Sequence, residues 1–96
     1  MSTQYSALAY SMIDDILDVL LAMPNPQSED LARASWQARG AVENFERLYA
    51  KKAAFLMTQI ADYLKAMSLY ASFLGPRADC KAGLETLGVY LRAQWL

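Results

Sequence analysis

The chain has 96 residues, 55% of them hydrophobic and 20% charged, with a formal net charge of -1 and a pI near 5.2. A chain of this length and polarity is too apolar to stay disordered, lacks the basic excess of a general nucleic-acid binder, and fits one helical or mixed domain, taken as residues 1–96. Histidine is absent and Cys80 is the single cysteine, so the commonest general base and zinc ligand is missing and no intrachain disulfide can form.

No Lys or Arg precedes Arg33, and the apolar stretch from Ile16 to Met23 is interrupted by Asp18. Neither the basic nor the apolar part of a signal peptide is therefore legible, and no run reaches the roughly 18 apolar residues of a membrane span. Together with the unpaired cysteine, these features lead us to expect a soluble, cytoplasmic protein with no membrane partner.

The first element is a helix over about residues 4–23. Tyr5, Ala9, Met12, Ile16, Val19 and Met23 recur at three-four spacing, widened by Leu8, Ile13, Leu17 and Leu20, the mark of a broad buried stripe. Asp14, Asp15 and Asp18 fall together on its other side as an acidic patch. Pro24-Asn25-Pro26 stops this helix. Asn25 as N-cap with Pro26 at the first helical position, or Ser28 followed by Glu29 and Asp30, then starts the next.

Between Pro26 and Gly75 there is no proline, and Gly40 is the one glycine. Val42, Tyr49, Leu56, Tyr63 and Tyr70 step by seven, with Ala53, Ile60, Met67 and Leu74 beside them. This pattern predicts one long central helix over about 26–74, which at ~1.5 Å per residue would be roughly 70 Å long. Gly75 and Pro76 end it. A last helix over about 78–95 carries the stripe Cys80, Leu84, Leu87, Leu91 and Trp95.

The expected fold is thus all-α: a helical bundle with one long central helix and two shorter antiparallel arms, completed by dimerisation, since two helices in cross-section cannot hide stripes this wide. Leu48, Tyr49, Phe55, Leu56, Tyr63, Tyr70 and Trp95 are the expected dimer seam. The alternative is a break at Gly40, which would give a compact monomeric four-helix bundle.

Catalytic chemistry is not found, and no cofactor or metal is called for. The glycines at 40, 75, 83 and 88 are scattered and form no phosphate loop. Arg77 and Lys81 beside Cys80 could lower a thiol pKa, but with no histidine as base its expected place is the core of the last helix. Asp14 and Asp18 stand one turn apart on a straight helical face, a poor arrangement for a hard cation.

Charge is unevenly spread. Residues 1–30 hold Asp14, Asp15, Asp18, Glu29 and Asp30 with no basic residue, so that part carries -5 and the remainder +4. Pairing of the acidic arm with Arg33, Arg39 and Arg47 is expected; the competing reading is an acidic face that docks on a basic partner. Arg47, Tyr49, Lys51 and Lys52 form a second candidate contact, joining cation and aromatic on a segment that the two arms leave uncovered.

The function expected from these features is a small non-catalytic protein-binding module: an adaptor, an accessory or chaperone-like protein, or a stoichiometric inhibitor of phage or mobile-element type, with another protein as its partner. One alternative is a nucleic-acid-binding dimer using Arg47, Lys51 and Lys52, which Glu43 and Glu46 close by disfavour. Another is a bundle that holds a small ligand among its tyrosines and methionines.

Overall fold

The computed structural model describes the backbone of residues 2–48 and 50–95 and the side chains of 10–48 and 50–94. Among them are four α-helices and no strand: α1 (Ser2–Ala22), α2 (Ser28–Arg47), α3 (Lys51–Leu74) and α4 (Lys81–Trp95), with a 3-10 turn at Gly75–Arg77. The all-α expectation holds. The long helix over 26–74 does not: it is two helices that fold back on each other as a hairpin, α2 on α3, and this is the most extensive interface in the molecule. The longest dimension is 45 Å, far short of a 70 Å rod.

The break falls at 48–50 rather than at Gly40, which lies exposed within α2. No glycine or proline marks it. Instead the Ala50 N–H donates to the Phe45 carbonyl at 2.9 Å and the Leu48 N–H to Asn44 at 3.1 Å, the wrapped-back bonding that closes a helix C-terminus. α3 then starts without a side-chain cap and with Lys51 and Lys52 in its first turn, both unfavourable choices by local rules. Tertiary burial outweighs them: Phe45, Ala50, Ala53 and Ala54 are all buried where the hairpin turns.

What draws α2 and α3 together is a seam of small residues. Ala54, Ala61 and Ser68 step by seven along α3, and Ala34, Ser35, Ala38 and Ala41 face inward from α2; all are buried. The Ser35 hydroxyl donates to the Ala61 carbonyl at 2.8 Å. One turn-pair further along, the Ser68 hydroxyl donates to the Ser28 carbonyl at 2.9 Å, with the two hydroxyl oxygens 3.2 Å apart. Side chain to backbone bonds across two helices require close axes, which only small residues allow. Both contacts share one antiparallel register, which places the reversal at 48–50.

The turn before α2 also differs in detail from expectation. Pro26 is fully buried ahead of the helix, and Gln27 rather than Asn25 is the N-cap, its N–H donating to the Asp30 carboxylate at 2.9 Å. α1 lies against α2, α3 and α4 and fills the middle of the core with Ile13, Leu17 and Leu20, each 1% exposed or less. α4 runs antiparallel to α1, with Arg92 reaching Asp14 at 3.1 Å and Gly88 beside Leu17. Because the chain folds back at 48–50, its own helices bury part of the stripes that a second copy was invoked to cover: Ile16, Leu56 and Ile60 are buried, while Met12, Val19, Tyr63 and Tyr70 stay exposed.

Candidate functional site

α4 is seated on α1, and its backbone pairs far less closely with α3. At Gly83 an added Cβ would lie 3.2 Å from the Met67 methyl and 3.7 Å from the Tyr63 hydroxyl. Between the two helices lie two cavities that share Tyr63. One, of 320 Å³, is lined by Tyr63, Ala66, Met67, Tyr70, Asp79, Cys80 and Gly83. The other, of 570 Å³, lies against Gln59, Asp62, Tyr63, Thr86, Leu87, Tyr90 and Leu91. They form one groove, walled by helix on both sides. Tyr63, Tyr70 and Tyr90 are 44%, 57% and 52% exposed along it, so large aromatic surface faces water.

The groove has a mixed character. Its floor is apolar, from Met67, Leu87 and Leu91; among the described residues that line it, the charged ones are Asp62 and Asp79, one towards each end. Asp62 pairs with Arg39 of α2 at 3.3 Å while its side chain stays 65% exposed. Asp79 accepts the Lys81 N–H at 3.3 Å, helping to start α4. The thiol of Cys80 lies in the floor, 3% exposed. Burial, and secondarily the charge of Asp79, push its pKa up from the ordinary value of 9.0. The direction is opposite to the lowering that Arg77 and Lys81 suggested, and Cys80 is buried with the core.

The predicted contact residues separate into distinct places. Arg47, Leu48, Lys51 and Lys52 are exposed and gather at the tip of the α2–α3 hairpin. Arg47 there donates to the Asn44 side chain at 3.4 Å, and Lys51 and Phe55 border a hollow with Glu46. Tyr49 lies outside the described residues, as does the side chain of Trp95. Of the expected seam, Leu56 is 3% exposed inside the chain's own core and cannot reach a second copy. Phe55, Tyr63 and Tyr70 are exposed, the tyrosines towards α4 and Phe55 on the outer side.

The acidic patch of α1 is partly answered within the chain, though not by the residues expected. Arg92 of α4 bonds Asp14 at 3.1 Å and approaches Asp18 at 3.8 Å, whereas Arg33 pairs with Asp30 on its own helix and Arg39 with Asp62. Asp15 is exposed. Of the groove lining, only Tyr63 and Tyr70 were expected as site residues; the α4 wall with Tyr90 was not. Gly83, Leu87 and Tyr90 lie on one face of α4 at helical spacing, the signal that could have found this wall.

The chain matches no family model, no curated protein and no solved structure. No described helix is long and apolar enough to cross a membrane.

Proposed function

We propose that this protein is a non-catalytic protein-binding module whose contact surface is the α3–α4 side of the bundle. The observation that carries the proposal is the aromatic groove. Tyr63, Tyr70 and Tyr90 keep about half their surface in water around an apolar floor. Aromatic residues in such settings supply large contact area at low entropy cost, and they are enriched where proteins meet. The action of an adaptor, accessory protein or inhibitor is the corresponding role in the cell.

A photo-crosslinking amino acid at Tyr63 or Tyr90 tests this in cells that make the protein. The same discrete heterologous adduct is expected from both positions, and none from Glu43, which is exposed on α2. Identical adduct patterns from all three positions, or none from the groove, would remove the reading. A second reading, small-ligand binding, draws on the same cavities, whose volumes of 320 and 570 Å³ fall in the usual range for ligand pockets. A small molecule that co-purifies with the intact protein and is lost on filling the groove would favour it.

A further inference from the structure

We infer that the α3–α4 groove takes a short amphipathic helix of a partner protein, about three turns long, with apolar residues on one face and Lys or Arg at each end. The inference rests on the protein-binding reading and adds the chemistry of the partner. Three features lead to it. From Gln59 to Tyr70 the groove follows α3 for eleven residue steps, which at ~1.5 Å each is about 16 Å, or three helical turns. Both walls are α-helices, whose backbone groups are already bonded. A strand laid between them would leave its own N–H and C=O groups without partners, whereas a helix satisfies them internally. Finally, the charged groups in the lining are Asp62 and Asp79, towards opposite ends, with no basic residue among them. Asp62 retains acceptor capacity beyond its Arg39 contact, since a carboxylate can take several donors. An occupant with basic ends meets a carboxylate at each end, and one with acidic ends meets repulsion.

The pattern the groove reads is therefore an apolar i, i+4, i+7 stripe. Its side chains enter the two cavities that meet at Tyr63, and its basic residues flank them. Met67 at the centre suits adaptable packing around apolar side chains of differing shape.

The test uses the full chain, isotope-labelled, and two synthetic peptides. Each peptide has three leucines at i, i+4, i+7 in an alanine-rich helix; one has Lys-Arg pairs at both ends, the other Glu pairs. The basic-ended peptide is expected to shift the amide signals of Ala66, Met67, Gly83 and Leu87, and to bind at least about tenfold more tightly than the acidic-ended one. Asp62→Asn with Asp79→Asn keeps the side-chain oxygen that accepts from Lys81 and should weaken the basic peptide by about fivefold, as expected of two exposed ion pairs. Ala66→Trp fills the groove from an exposed position and should abolish binding. Equal affinity for the two peptides would overturn the inference, as would unchanged binding by Ala66→Trp or shifts centred on Trp36 and Leu69, which are exposed beside a separate hollow between α2 and α3. Concentration-dependent shifts of the same residues without peptide would overturn it in favour of a second copy. If Tyr63 crosslinks a partner in cells yet the basic peptide does not bind, the helix inference fails while the protein-binding reading stands; if neither occurs, both fall.

Discussion

A disulfide between positions 28 and 68 discriminates the hairpin from the uninterrupted rod. Ser28 and Ser68 place their hydroxyl oxygens 3.2 Å apart, so Ser28→Cys and Ser68→Cys, in a Cys80→Ala background, should oxidise to a bond within one chain. In a continuous helix the same residues would stand about 60 Å apart, forty rises of ~1.5 Å. Closing a loop of about forty residues restricts the unfolded chain by about 4 kcal/mol at 25 °C in the chain-entropy treatment. The pair of hydroxyl contacts that the substitutions remove costs about 1 kcal/mol each. The oxidised variant should therefore exceed its reduced form by about 4 kcal/mol at most, and exceed the Cys80→Ala parent by about 2 kcal/mol. Urea unfolding of the three forms gives these differences, and non-reducing electrophoresis at low protein concentration shows which bond forms. A ladder of covalent dimers with no intrachain species would refute the reasoning: it would mean that position 28 of one chain meets position 68 of another, as in a pair of unbroken rods or a swap hinged at 48–50.

Two further outcomes follow from the core. Leu64 is fully buried in α3, so Leu64→Ala should cost about 3 kcal/mol in urea unfolding, as large-to-small changes at such sites do; a loss under about 1 kcal/mol would show that the site is loosely packed. The buried thiol of Cys80 has its pKa raised by burial, so the folded state holds its proton more tightly than the unfolded state. Stability from this source is complete below the unfolded value, near the ordinary 9.0, and declines as pH rises above it. Denaturation midpoints measured from pH 8 to pH 10 should fall more steeply for the natural chain than for Cys80→Ala, and Cys80 should resist thiol reagents until the protein unfolds. Equal slopes and rapid labelling would contradict the burial.

The ends of the elements were legible where the chemistry is local. Pro24 and Pro26 bound the turn between α1 and α2, and Gly75, with φ of 64°, takes the left-handed position that closes α3 before Pro76. The α2–α3 reversal was not legible, because 48–50 offers no glycine, proline or capping side chain. Its cause lies in the small buried residues along α2 and α3, where Ser35 bonds Ala61 and Ser68 bonds Ser28. Alanine fits a long helix equally well in isolation, so helix propensity could not reveal that these small residues face each other. Gly40, the weak point by propensity, is exposed, and nothing lies within 4 Å of where its Cβ would be; the helix passes through it.

The candidate site was half legible for a similar reason. Tyr63 and Tyr70 stood out by their seven-residue spacing, but as parts of a seam along a rod. Once the rod folds at 48–50, Leu56 of the same series turns into the core while the two tyrosines face α4. The groove then depends on where α4 lies beside α3, and at Gly83 an added Cβ would crowd the Met67 methyl at 3.2 Å. The charge pairs were misassigned for the same cause: Arg92 meets Asp14 and Asp18 only because α4 packs on α1.

Radical footprinting of the tyrosines, in cells and on the purified protein, tests the central claim most directly. Tyr63, Tyr70 and Tyr90 should label readily on the purified chain and be protected in cells by a bound partner, while Trp36, 74% exposed on α2, should label alike in both. Equal labelling of the three tyrosines in the two settings, or protection confined to Trp36, would contradict the assignment of the α3–α4 groove as the surface through which this protein acts.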